Sequence, residues 1–172
     1  MSDPAPEFSR RILLARLGHI PFRQEIVATD AECAALARRF ELVSLDRLSA
    51  QVELTARGHD MFLLQAVFEA AFEQECVVTL DPVAGVIAAK FALLYGPPDA
   101  EESAIGPVDD DIAFEPIAGD TIDIGEAVAQ EFSLGLPLFP RSPDAVIETD
   151  RAAPDDAGPF AALSRLRVGR DS

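Results

Sequence analysis

Tryptophan is absent from this 172-residue chain, and cysteine and histidine occur twice each, at Cys33, Cys76, His19 and His59. Two cysteines in different predicted elements exclude a disulfide framework, which needs more cysteines and an oxidising compartment; they read as reduced, at least partly buried thiols. Neither histidine has a His or Cys three or four positions away, so the zinc spacings are missing. No metal and no cofactor is expected. The P-loop and dinucleotide glycine patterns are missing too, which argues against a nucleotide-dependent enzyme. No apolar run approaches the roughly 20 residues that a membrane-spanning helix requires. The opening residues, Met1-Ser2-Asp3-Pro4-Ala5-Pro6-Glu7, are acidic and proline-broken where a secretory signal is basic and then apolar. The expectation is a cytoplasmic protein with no membrane partner.

Positive charge is scarce. Fourteen basic residues face 30 acidic ones, for a net charge of −16. Between Lys90 and Arg141 there is no Lys or Arg, while Asp99, Glu101, Glu102, Asp109, Asp110, Asp111, Glu115, Asp120, Asp123, Glu126 and Glu131 fall inside that stretch. Such a surface repels phosphate and disfavours the electrostatic attraction behind non-specific nucleic-acid binding. A basic partner is the more natural ligand, although an acidic segment that serves solubility alone accounts for the same pattern.

What is present is apolar patterning. The hydrophobic fraction is 49%, with 11 Phe, and a chain of this length suits one domain that buries roughly 70% of its unfolded surface. Ala66, Phe68, Ala70, Phe72, Gln74 and Cys76 share one parity against Gln65, Val67, Glu69, Ala71, Glu73 and Glu75, the period of a half-buried strand. Ala50, Val52, Leu54 and Ala56 repeat that pattern, as do Ile87, Ala89, Phe91, Leu93 and Tyr95. Asp81-Pro82 ends the ladder between them, because proline donates no N–H. Arg10–Leu17 and Phe22–Ala28 read as two strands, a hairpin or a sheet-crossing pair, around Gly18-His19-Ile20-Pro21. Glu41–Ser49 is ambiguous.

Thr29-Asp30-Ala31-Glu32 has the form of a capping box and predicts a helix over Asp30–Arg39. Asp123 caps a second predicted helix, Ile124–Ser133, with Ile124, Val128 and Phe132 on its apolar stripe. The fold class expected is α+β: one domain with a curved antiparallel sheet and two principal helices. The organisation expected is a flexible tail at 1–9, a domain at 10–140 including an acidic loop at 99–119, a linker at 141–158, and an amphipathic segment at 159–172 carrying Phe160, Leu163 and Leu166. That last segment docks on its own sheet or binds a partner.

No catalytic constellation stands out. Cys76 with His19 or His59 as base has no local support, and carboxylate pairs mean little in so acidic a chain. Three segments do carry a resemblance. "QECVVTLDPV" at Gln74–Val83, "DTIDIGEAVAQEFSLGLPLFP" at Asp120–Pro140 and "GPFAALSRLR" at Gly158–Arg167 are together similar to the YceD-type family of large ribosomal RNA subunit accumulation proteins. The resemblance singles out Cys76, Thr79, Asp81, Pro82, Asp123, Gly125, Glu126, Phe160 and Leu163 as family-motif or partner-binding candidates. Thr79 stands where many relatives carry the second Cys of a Cys-x-x-Cys, and no late Cys lies near Phe139-Pro140, so metal or redox chemistry at those cysteines is not expected here. The resemblance implies a role in accumulation or maturation of large-subunit ribosomal RNA and no established catalysis. An acidic protein reaches that RNA best by contacting a basic ribosomal or assembly protein. Direct RNA contact falls to Arg10, Arg11, Arg16, Arg23, Arg38, Arg39, Arg47 and Arg57, and the alternative activity is metal-dependent RNA hydrolysis.

Overall fold

The computed structural model describes residues 6–18, 20–58, 60–100 and 112–146. In chain order the described elements are β1 (Arg11–Leu13), β2 (Phe22–Val27), α1 (Asp30–Arg39), β3 (Ser44–Gly58), β4 (Met61–Glu75), β5 (Pro82–Gly96), β6 (Ala113–Pro116), β7 (Thr121–Asp123) and α2 (Ile124–Gly135). A five-stranded sheet runs β2-β3-β4-β5-β6, and β1 pairs with β7 in a separate two-stranded sheet. Three strands of 15 residues each, β3 to β5, form an antiparallel meander as the alternation predicted. The fold is α+β.

The period-two reading assigns the faces correctly. Phe62, Leu64, Ala66, Phe68, Ala70 and Phe72 of β4 are all buried, and the last five stand opposite Leu54, Val52, Ala50, Leu48 and Leu45 of β3, also buried. Helix α1 covers β3 through Cys33, Leu36 and Ala37. Helix α2 lies on β4 and β5. Phe132 of α2 is fully buried and meets Phe40 and Phe72 edge-on at centroid distances of 5.8 and 5.7 Å, a favoured aromatic geometry. Gly85 makes room for this cluster, since a Cβ there would lie 2.6 Å from the Phe72 ring. No described helix covers the opposite sheet face, where Gln51, Gln65, Val67 and Glu69 are exposed.

Several expectations are corrected. The Arg10–Leu17 strand is short, giving way to a 3-10 turn at Leu14–Arg16. It pairs with β7 rather than with its sequence neighbour β2. Glycine and proline at 18 and 21 mark a change of direction but do not choose a partner; the Leu14 N–H bonded to the Asp120 carbonyl and the Arg10 N–H bonded to Asp123 do. The supposed tail at 1–9 contains Phe8, which is fully buried, so residues 6–9 belong to the fold. The acidic loop at 99–119 contains β6, and β6 pairs parallel with β5. The intervening residues 97–112 are long enough for the crossover that a parallel neighbour demands. The ambiguous Glu41–Ser49 stretch is the start of β3 from Ser44 onward. Residues 147–158 of the linker and the 159–172 segment, with Phe160 and Leu163, lie outside the described residues.

Candidate functional site

The structure divides the candidate residues between two places. Asp123, Gly125 and Glu126 sit where β7 turns into α2. Cys76, Thr79, Asp81 and Pro82 form the turn between β4 and β5. Helix α2 connects them: its Gly135 end lies over Ile87 of β5, and the chain then runs to the turn.

At the first place the Asp123 carboxylate accepts bonds from the backbone N–H groups of Gly125 (3.1 Å) and Glu126 (3.2 Å), the N-cap role its sequence position indicated. It also accepts from the Arg10 N–H at 2.7 Å and from the Ser9 hydroxyl. One side chain thus starts α2 and fastens the N-terminal segment across it. Gly125 is required by that crossing, because a Cβ would come within 2.2 Å of the Phe8 carbonyl oxygen. Glu126 makes a two-point ion pair with Arg39 at 2.7 and 2.9 Å, and Arg39 also reaches Glu7 at 3.0 Å. These contacts, Glu126 first, hold the Arg39 guanidinium well above its ordinary pKa. Arg10 pairs with Glu32 at 2.7 and 2.9 Å, while Glu32 closes the capping box by accepting from the Thr29 N–H at 2.8 Å. Arg10 chiefly, with Thr29, lowers the Glu32 carboxyl to about 2. A neighbouring pocket of about 420 Å³ contains Tyr95, Glu115, Asp123 and Gln130. Burial, reinforced by Glu115, raises the pKa values of Tyr95 and of the nearby Glu131.

The second place is a different construction. Cys76 is fully covered, but by a thin layer: its own turn and the segment around Ser142. The Cys76 sulfur accepts three backbone N–H groups, from Ser142 (3.3 Å), Val78 (3.4 Å) and Thr79 (3.4 Å). The Ser142 N–H first, then the Thr79 hydroxyl and N–H, and lastly the Val78 N–H lower the thiol to about 6, against the opposing effect of desolvation. The parity argument correctly made Cys76 buried, yet its sulfur is held by hydrogen-bond donors of the turn and strap and is not part of the main apolar cluster. The Cys76 N–H bonds to the Asp81 carbonyl at 2.8 Å and the Leu80 N–H to the Cys76 carbonyl at 2.9 Å. Leu80 takes a positive φ of 63° to close the turn. Pro82 is the last registered residue of the ladder, opposite Glu75. Thr79, where a second cysteine was the comparison, receives the Asp81 N–H on its hydroxyl at 3.4 Å. From the other motif, the Pro140 carbonyl accepts the Val77 N–H at 3.0 Å, and the Pro137 carbonyl accepts from the Gln74 side chain at 3.2 Å. Sequence reasoning missed Ser142 and gave no sign that the 137–140 end of the second motif straps this turn, since the contacts lie more than 60 positions apart.

A wider groove of about 900 Å³ crosses the bare sheet face, lined by Arg23, Gln51, Glu53, Gln65, Val67 and Lys90 among others. It is larger than the pocket beside Asp123, but neither motif contributes to it, and motif chemistry carries more weight than volume. Among the described residues no group of three or more His, Cys, Asp or Glu side chains is placed to hold a metal, and no helix is long and apolar enough to cross a membrane.

A meander under two helices, with a cap-and-ion-pair junction at the start of α2 and a sulfur-centred turn beyond its end, defines an α+β domain. The chain matches the family described as large ribosomal RNA subunit accumulation protein YceD over residues 64–166, and it belongs to that family. No curated protein and no solved structure matches it.

Proposed function

We propose that this protein is a non-enzymatic cytoplasmic factor that supports accumulation or maturation of large-subunit ribosomal RNA through contacts with a basic ribosomal or assembly protein. The observation that carries the reading is the family match, which spans both motif sites. The arginine inventory favours protein contact over RNA coating. Of the arginines in the first third of the chain, Arg10, Arg11, Arg23, Arg39 and Arg47 each lie within ion-pair distance of a carboxylate. Each neighbouring carboxylate offsets part of a guanidinium's attraction for phosphate, and the net charge of −16 adds long-range repulsion.

Depletion of the protein is expected to lower large-subunit ribosomal RNA relative to small-subunit RNA, measured as the ratio of the two in total RNA. Equal levels after depletion would remove the reading. Metal-dependent RNA hydrolysis, the competing activity, predicts magnesium-dependent trimming of precursor ends by the purified chain; the reading proposed here expects none.

A further inference from the structure

Scattered exposed apolar side chains are normal on a protein surface, but a concentration of large ones in one place marks a contact site. The end of the molecule built from the Cys76–Asp81 turn and the 137–142 strap has such a concentration. Leu80 is 67% exposed, Leu138 87% and Phe139 77%, and Val77 is half exposed beside them. Backbone hydrogen bonds from Val77 to Pro140 and from Ser142 to the Cys76 sulfur join the two segments, so these side chains are carried on one bonded unit. The turn lies inside the 74–83 motif and the strap overlaps the end of the 120–140 motif, and both fall within the family match. Carboxylates flank the unit along the chain: Asp81 on the turn, Glu73 and Glu75 at the end of β4 and Asp144 just past the strap, against the single guanidinium of Arg141 on the strap. The α2 junction is different, because its charges are used internally in the Arg39–Glu126 and Arg10–Glu32 pairs.

We propose that this apolar, acid-rimmed end is the docking surface for the basic partner protein, with Leu80, Leu138 and Phe139 as the anchors that it covers. The inference rests on the protein-contact reading above. Charge complementarity selects the occupant: a positively charged protein gains attraction from the rim and covers the apolar centre, whereas RNA is repelled by the first and gains little from the second. The hydrogen bonds around the Cys76 sulfur, with the Val77–Pro140 bond, fix the strap against the turn and so shape the surface.

The test uses the full-length chain immobilised against proteins extracted from purified large ribosomal subunits, after nuclease treatment, with each retained protein identified. At least one basic ribosomal protein is expected on the wild type and on Val67→Asp, a control on the bare sheet face. Its retention should fall at least tenfold for Leu80→Asp and for Phe139→Asp. Leu138→Asp, at the most exposed of the three positions, is the second variant if either melts far below the wild type, and it should show the same loss. Unchanged retention by these variants overturns the surface while leaving the functional reading in place. So does loss on Leu163→Asp with retention intact on the other three, which would make the terminal segment the docking element. A wild-type dimer that Phe139→Asp dissociates assigns the surface to a second copy and overturns the inference. Retention of neutral or acidic proteins alone overturns the charge argument. No retention by the wild type also overturns the inference, and the RNA ratio after depletion then decides the functional reading separately.

Discussion

The two ends of α2 are built on opposite principles. At its N-terminus polar groups are matched internally: Asp123 accepts from four donors, and Arg39 and Arg10 are each held by two oxygens of a single glutamate. Beyond its C-terminus the matching runs mostly through backbone groups, joined by the Cys76 sulfur, the Gln74 amide and the Thr79 and Ser142 hydroxyls, and large apolar side chains are left exposed. The first arrangement uses its chemistry to hold the chain together. The second leaves apolar surface and carboxylates unspent, which is how a contact site differs from a structural joint.

Substitutions separate these roles. The largest effect is expected for Asp123→Ala, which removes a helix cap and leaves the Ser9 and Arg10 donors without their acceptor; about 2–3 kcal/mol should be lost, read by urea unfolding. Gly125→Ala should cost about 1–3 kcal/mol, because its Cβ collides with the Phe8 carbonyl and forces the N-terminal segment to move. If both changes left stability intact, the junction would not be a structural joint and the contrast would collapse.

Two titrations sharpen it. Glu32 has a folded pKa of about 2, below its unfolded value, so its contribution is complete above the unfolded carboxylate range and is lost as pH falls through about 2. The wild type should therefore lose more stability than Glu32→Gln between about pH 5 and pH 2, followed by melting temperature. Cys76 behaves in the same sense at higher pH. Its folded pKa of about 6 lies below that of an unfolded thiol, so its contribution is present above about pH 8.5 and is lost as pH falls through 6. Melting temperature should rise from pH 6 toward 8.5 in the wild type, and Cys76→Ser should lack that rise. The smallest effect is expected for Leu138→Asp: within about 0.5 kcal/mol of wild type, since the side chain is almost fully exposed. A large loss there would make the strap part of the core.

Local chemistry was legible in the residues themselves. The Thr29–Glu32 capping box, the Asp123 cap, the α1 limits and the inward parity of β3 and β4 depend on groups a few positions apart, where backbone geometry dictates which side chains meet. The pairing of β1 with β7, the parallel placement of β6 and the burial of Phe8 were not legible, because each depends on a partner distant in sequence that turn residues do not identify. At Cys76, parity correctly indicated burial, but the low thiol pKa comes in part from the Ser142 N–H, 66 positions away. The sequence by itself determined the charge, the strand faces, the two helix starts and the family motifs, since these follow from residue identity and short-range periodicity. Tertiary structure alone decided that the chain beyond α2 straps the Cys76 turn, with one end of that helix tied up in ion pairs and the other open, because only long-range packing sets which charges find partners and which apolar side chains are left facing water.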